Sequence, residues 1–368
     1  MDIRVFAPML GLDPDSPWGG EIFDVEILTR LAQAGIKIEV LLRKNQPSPQ
    51  VKNLTVHYLP FNIDTRVYSI FFLPWLFNIP FVKRIMKNCD IFRVHSPYFM
   101  ALGAILAKTC PLWFNYFHIE KNKFMNVFDR TIPKYANGLT LLCKDTLNDL
   151  KKLCPGIENK IYEITPPGID TNLFRPVRSN VRDELGIKDK LVVLFIGRLI
   201  ERKGVDILLK AWEKVSREID NVHLVIIGKG PLETLVKLYS KKLRNITHIS
   251  FIEKRIDLPK YYSLADIFVF PTRLEGFGMT AGEAMACGLP VVTTDAKGIK
   301  HVVDSSCGFK VRVGDYNSLA EKILILLKDD RLRSTMSKNA IKKVRKEFSW
   351  DVTVNKTVNF IKKVIENA

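Results

Sequence analysis

Two carboxylates, Glu275 and Glu283, stand with seven residues between them in Pro271-Thr272-Arg273-Leu274-Glu275-Gly276-Phe277-Gly278-Met279-Thr280-Ala281-Gly282-Glu283. Gly276 and Gly278 allow the backbone to approach a ligand closely. A helix starting near Thr280 would turn its free N–H groups and positive dipole end toward that loop, a setting for a phosphate. Glu283 is expected in the first turn of this helix, held as an anion by the dipole and accepting hydrogen bonds from sugar hydroxyls, with Glu275 entering from the loop. Gly288 and Pro290 would end the helix. The alternative reading of the same residues is an ordinary loop-to-helix cap with two solvated charges.

A second segment weighs against that alternative. Gly197-Arg198-Leu199-Ile200-Glu201-Arg202-Lys203-Gly204 follows the apolar run Leu191–Ile196 and precedes a helical pattern over residues 205–215. Arg198 and Lys203 therefore stand at a strand's carboxyl end, where open α/β sheets bind ligands, and two cations there suit a departing diphosphate. The alternative for Lys203 is a solvated lysine at a helix start.

These segments need a scaffold, and the chain supplies enough apolar material for one. With 368 residues and 47% hydrophobic side chains it should divide into two domains, since single cores rarely grow beyond roughly 250 to 300 residues. Apolar, β-rich runs at 3–7, 36–42, 54–59 and 112–117, then at 191–196, 222–227, 246–251, 267–270 and 291–294, alternate with helical periodicity. That alternation predicts the α/β class with two doubly wound parallel sheets. Pro166, Pro167, Gly168, Pro176 and the polar stretch 178–184 place a boundary between residues 168 and 190. The cleft between the domains is then the expected site. By periodicity alone, residues 350–365 form a terminal helix.

Together these segments resemble the retaining glycosyltransferases of the GT-B fold, in the large group usually called family four or glycosyl transferases group 1. The likeness rests on Glu275 and Glu283 at their spacing, on Arg198 and Lys203 in their segment, and on run 222–227 followed by Gly228-Lys229-Gly230-Pro231. Upstream it rests on Pro17-Trp18-Gly19-Gly20-Glu21, on Asp90-Ile91-Phe92-Arg93-Val94-His95-Ser96-Pro97, and on Pro166-Pro167-Gly168-Ile169-Asp170 with Phe174 and Pro176. Nearly the whole chain is covered.

The resemblance implies two Rossmann-like domains: residues 1–170 for the acceptor, residues 171–349 for the nucleotide sugar, and a helix at 350–368 that returns to the first domain. It implies retaining transfer of a sugar from a nucleoside-diphosphate sugar to a hydroxyl of a glycolipid, lipid-linked or polysaccharide precursor. No metal and no cofactor beyond that donor substrate are expected. The donor diphosphate would meet a loop formed by Gly19 and Gly20, the cations Arg198 and Lys203, and the backbone of Phe277, Gly278, Met279 and Thr280. Glu283 would hold the ribose.

His118, just past run 112–117, resembles the family's active-site histidine and is assigned to catalysis with Glu275; a surface histidine is the alternative. His95, at an earlier strand end, makes a lesser claim of the same kind. Glu275 as a covalent nucleophile is disfavoured, because the family is described by a front-face mechanism in which the leaving phosphate helps take the acceptor's proton. Glu275 is therefore expected to orient the sugar.

Two stretches depart from the family. Lys297-Gly298-Ile299-Lys300-His301 stands where a Gly-Gly-x-x-Glu pattern is common, which removes a carboxylate near the donor. Ile252-Glu253-Lys254 replaces a usual glycine near the nucleotide base, so the base is not legible. Asp13-Pro14-Asp15 has the form of a metal-diphosphate motif of another glycosyltransferase fold, but it lies in the first strand-to-helix loop with a rigid proline between the carboxylates. It is discounted because Arg198 and Lys203 already supply positive charge.

The net charge of +17 calls for an anionic partner: nucleic acid, an anionic membrane surface or phosphorylated substrates. No zinc-finger spacing, RNA-binding aromatic signature or basic recognition helix supports nucleic acid. The aromatic run 67–82, with Phe71, Phe72 and Trp75, precedes Lys83 and Arg84; it is too short and proline-broken to span a bilayer, but fits its interface. Packing inside the first domain is the alternative. The basic residues Arg331, Arg333, Lys338, Lys342, Lys343, Arg345 and Lys346 read as a solvated helix face.

The start, Met1-Asp2-Ile3-Arg4-Val5-Phe6, lacks signal-peptide features, and the six cysteines form no Cys-x2-Cys pair. A reduced, cytoplasmic setting is expected, with the cytoplasmic membrane face as the working place. Two other functions compete with sugar transfer: a sugar-nucleotide epimerase on the same fold, and a non-catalytic basic scaffold.

Overall fold

The computed structural model describes residues 2–9, 12–13, 19–42, 46–58, 79–95, 104–106, 110–116 and 123–368. The chain divides into two compact units, one of Met1–Pro167 with Asp351–Ala368 and one of Gly168–Trp350.

The first unit is built on seven strands: β1 (Arg4–Pro8), β2 (Lys37–Leu42), β3 (Leu54–Tyr58), β4 (Ile91–His95), β5 (Leu112–Tyr116), β6 (Gly138–Leu141) and β7 (Ile161–Ile164). They lie in the order β3-β2-β1-β4-β5-β6-β7, and every pair is parallel. The central strands β4 and β5 are buried except for His95 at the end of β4, and their sequences are mostly apolar with Arg93 and Asn115 as buried polar exceptions. The C-terminal helix Trp350–Glu366 packs on this sheet: the Phe360 ring meets Trp113 edge-on at 5.7 Å, and a Cβ on Gly138 would stand 2.4 Å from Val364. Thr353 Oγ1 donates to the Pro166 carbonyl at 2.9 Å and ties the helix to the end of this unit.

The second unit has six parallel strands, β8 (Leu191–Ile196), β9 (Val222–Ile227), β10 (Ile246–Ile249), β11 (Ile267–Phe270), β12 (Val291–Thr294) and β13 (Gly308–Val311). Their order is β10-β9-β8-β11-β12-β13. The chain winds outward from β8 to β10, then crosses back and winds the other way from β11. The direction of winding therefore reverses between β8 and β11, the switch point at whose strand ends open α/β sheets bind ligands. The loops leaving these two strands are 197–204 and 271–278, the two segments in which the sequence places its candidate chemistry.

The observed strands β8, β9, β11 and β12 coincide with the apolar runs. Three strands were not expected. β7 and β13 are edge strands, one in each sheet, and only partly buried, and β6 is four residues that begin with glycine. Edge strands need less apolar sequence because one side of the ladder faces away from the sheet.

Candidate active site

Three links fix the two strand-end loops against each other. The Thr272 hydroxyl and the Arg273 amide both donate to the Arg202 carbonyl, at 2.9 and 2.8 Å. The Arg273 guanidinium then grips the Asp206 carboxylate with both terminal nitrogens, at 2.9 and 2.7 Å. Burial opposes the Asp206 charge, but Arg273 outweighs it and holds the carboxyl below the usual range. Gly204 has φ +74°, and a Cβ there would lie 1.9 Å from the Pro271 carbonyl oxygen. Only glycine lets the loops come this close.

The clamp brings Lys203 to Glu275. The Lys203 ammonium pairs with Glu275 Oε1 and lies 5.2 Å from the centre of the Phe270 ring, both side chains being mostly buried. Thr272 Oγ1 lies 3.3 Å from the same carboxylate oxygen, and the Glu275 amide donates to the Lys297 carbonyl at 3.2 Å. Gly298, with φ +82°, backs this loop so closely that a Cβ would lie 2.4 Å from the Glu275 carbonyl oxygen. The segment that departs from the family thus still shapes the Glu275 loop. Arg198 is exposed just after β8.

Phe277 is buried, and Gly278 is the N-cap of the helix Met279–Ala286. The Ala281 and Gly282 amides both bond back to the Gly278 carbonyl, at 3.0 and 3.2 Å. The Met279 and Thr280 N–H groups, preceding them, have no intrahelical acceptor and form the positive end of the helix dipole.

Glu283 corrects the expectation drawn from the sequence. It lies beyond the first turn, which holds no acidic residue, and the dipole's influence fades within that turn. The carboxylate is buried at 6% exposure, and burial raises its pKa against the opposing effects of Arg255 and Tyr262. Tyr262 OH donates to Oε2 at 2.9 Å and Arg255 lies 3.3 Å from Oε1. Charge and hydrogen bonds from outside the helix, not the dipole, are therefore what oppose its protonation. Sequence reasoning missed both partners. Arg255 is the next residue after the base-proximal stretch Ile252-Glu253-Lys254, a signal that could have found it; nothing local singles out Tyr262.

In the first unit, the helix Gly19–Gln33 begins at Gly19, so Gly19 and Gly20 occupy its first turn instead of a preceding loop. His95 ends β4, with Nδ1 2.6 Å from Asp24 Oδ2, and Asp24 also accepts from Arg93 at 2.7 Å. Burial opposes the Asp24 charge, but His95 and Arg93 outweigh it and hold the carboxyl below its ordinary range. Lys83 and Arg84 are exposed on the helix Ile79–Met86. His118, Asp15, Phe71, Phe72 and Trp75 lie outside the described residues. Among the described residues no helix is long and apolar enough to cross a membrane.

Residues 177–343, which contain both loops and the Glu283 helix, match the family described as Glycosyl transferases group 1. Over this stretch the chain is similar to the group 1 glycosyltransferases. It is 35% identical over 188 residues to a GDP-mannose-dependent alpha-(1-6)-phosphatidylinositol monomannoside mannosyltransferase of Mycolicibacterium smegmatis, covering 47% of this chain and 49% of that one. The chain thus spans about half the length of that relative. It is 28% identical over 355 residues to the uncharacterized glycosyltransferase MJ1178 of Methanocaldococcus jannaschii, covering 95% of this chain and 94% of the other. The whole fold resembles that of a sucrose-phosphate synthase from Thermosynechococcus elongatus, with a TM-score of 0.84 at 20% identity and 100% of both chains covered. The fold is thus GT-B, with two Rossmann-like units.

Proposed function

We propose that this chain is a retaining glycosyltransferase that moves a sugar from a nucleoside-diphosphate sugar to a hydroxyl of a glycan or lipid-linked acceptor. The observation that carries the reading is the contact of Lys203 with Glu275 at the switch point of the second sheet, beside the N-terminus of the helix Met279–Ala286. In this reading the donor's diphosphate takes Lys203 and the Met279 and Thr280 amides, with Arg198 adding charge from the loop. Positive groups so placed stabilise the diphosphate as the glycosidic bond breaks.

Losing Lys203 to the diphosphate frees Glu275 to accept hydrogen bonds from the donor sugar's hydroxyls. Glu275 thereby holds the ring while it gains positive charge. Glu283 accepts from the ribose hydroxyls, the first-turn amides at Gly19 and Gly20 add donors for the diphosphate, and His118 contacts the sugar or its phosphate. The reaction needs no metal in this reading, because Lys203 and Arg198 supply the counter-charge. Neither the epimerase nor the scaffold alternative draws support from the relatives.

The mannosyltransferase relative is named for a phosphatidylinositol-based acceptor, and this supports a lipid-linked acceptor here, met at the cytoplasmic membrane face by residues near Phe71, Phe72, Trp75, Lys83 and Arg84. The reading is tested by incubating the full chain with radiolabelled GDP-mannose, UDP-glucose and related donors together with a membrane lipid extract. Label passing into the organic phase or into polymer only when acceptor is present supports transfer. Donor converted to an isomer without acceptor, or no turnover of any donor, contradicts it.

A further inference from the structure

Glu283 is held by two groups from the connection between β10 and β11. Tyr262 ends the helix Leu258–Tyr262 and Arg255 begins the turn Arg255–Asp257. The Tyr262 ring is fully buried, edge-on to Phe174 at 5.9 Å and the same distance from Phe268. The Arg255 guanidinium lies 5.2 Å from the centre of the Phe174 ring, and its side chain is 30% exposed against 8% for Glu283. The cluster is therefore closed on the tyrosine side and reaches solvent on the arginine side.

A carboxylate offers about four lone-pair sites. Tyr262 occupies one on Oε2 and Arg255 one on Oε1, so each oxygen keeps an acceptor site. Two sites on one fixed carboxylate are what the two hydroxyls of a cis-diol fill. We infer that Tyr262 and Arg255 are positioning residues that orient Glu283 and oppose its protonation, for recognition of the donor's ribose diol. The inference rests on the sugar-transfer reading above and deepens it at the same site.

Each residue has a distinct part. Burial, then the neighbouring Glu283 charge, pushes the Tyr262 phenol well above its usual range, so it remains a donor at every physiological pH. Arg255 contributes the counter-charge that opposes protonation of a carboxyl whose burial alone would favour the neutral form. Among the described residues the other titratable group facing Glu283 is Cys287, the C-cap of its helix; burial, then Glu283, raises that thiol so that it stays neutral. A neutral carboxyl would donate one proton and accept less, and the diol would lose a partner.

The test measures the dissociation constant of the preferred nucleoside diphosphate, and of its 2′-deoxy form, from pH 4.5 to 8 by calorimetry on the full chain. Wild type, Tyr262→Phe, Arg255→Ala, Arg255→Lys and Glu283→Gln are compared. Wild-type affinity should fall as pH drops through the Glu283 pKa. In Tyr262→Phe and Arg255→Ala that fall should begin about one pH unit higher, because each change removes a group that favours the carboxylate. Arg255→Lys should restore most of the wild-type profile, and Glu283→Gln should lose the pH dependence along with most of the preference for ribose over 2′-deoxyribose.

An unchanged pH profile in both Tyr262→Phe and Arg255→Ala overturns the inference. If Tyr262→Phe does not fold, the more exposed Arg255 variants decide the matter by the same criterion. Absence of nucleoside-diphosphate binding by the wild type at any pH would instead overturn the sugar-transfer reading itself.

Discussion

The ammonium of Lys203 and the carboxylate of Glu275 form a largely buried ion pair whose partners come from the ends of neighbouring parallel strands, β8 and β11. Each residue blocks the other. A lysine committed to a carboxylate is a poor phosphate ligand, and a carboxylate committed to a lysine is a poor sugar ligand. In the proposed function, a donor that brings both a diphosphate and a hydroxylated ring would exchange this one internal contact for two external ones.

Replacing Glu275 should therefore separate binding from turnover. Glu275→Ala is expected to bind the nucleoside diphosphate as tightly as wild type or more tightly, because Lys203 loses its competitor. Sugar transfer should fall by about 100-fold or more, the scale on which groups that stabilise developing charge act. Calorimetry and a transfer assay on the same preparation read the two quantities. Loss of binding with proportionate loss of turnover would show that Glu275 serves the diphosphate.

The clamp between the loops should be needed for both stability and affinity. Arg273→Ala removes two charge-assisted hydrogen bonds to Asp206 and is expected to cost about 1 to 2 kcal/mol, read as a drop of several degrees in Tm. Nucleotide affinity should fall with it although Arg273 is not assigned to the ligand. Unaltered affinity in the folded variant would mean that the loops hold their places without this pair.

Gly204 and Gly186 provide a matched comparison. Both have positive φ, +74° and +65°, but a Cβ on Gly204 meets the Pro271 carbonyl at 1.9 Å whereas nothing lies within 4 Å of one on Gly186. Gly186→Ala should cost on the order of 1 kcal/mol for the left-handed backbone alone. Gly204→Ala should cost clearly more and reduce nucleotide binding, since the two loops must part. Equal melting temperatures for the two variants would contradict the close approach.

His223 should make the second unit acid-sensitive. Burial, helped by the Lys190 charge, lowers its pKa from 6.5 to about 4 while Nε2 lies 2.8 Å from Thr247 Oγ1. Below pH 6.5 the unfolded chain takes up a proton at this histidine that the folded chain refuses, so stability falls as pH drops from about 6.5 toward 4. His223→Gln should flatten that part of the Tm-against-pH curve. A curve of unchanged slope would place the acid sensitivity elsewhere.

Much of this arrangement was legible in the sequence because of how the second sheet is built. β8, β9, β11 and β12 are interior strands, so they are written as largely apolar runs broken only by His223 in β9 and by Thr293 and Thr294 in β12, and the glycines and charges that follow β8 and β11 mark the loops at once. What was not legible depends on distance along the chain. Tyr262 is 21 residues from Glu283 and Arg255 is 28, and only the parallel crossover brings them to one carboxylate. The helix dipole was a local substitute for a stabilisation that is tertiary. The start of the helix Gly19–Gln33 failed for a different reason: glycine is a poor helix former, so its place in a first turn is decided by the surrounding fold.

The central claim, that Lys203 marks a donor diphosphate site, is tested most directly by thermal shift with UDP, GDP, ADP and dTDP, with and without a chelator, on wild type and on Lys203→Ala. Saturation at about 100 times the dissociation constant stabilises a protein by about 2.7 kcal/mol. The account predicts a chelator-insensitive rise in Tm with one of the nucleotides that is lost, or needs at least about tenfold more ligand, in Lys203→Ala. No shift with any nucleotide, or the same shift at the same concentration in the variant, would contradict it.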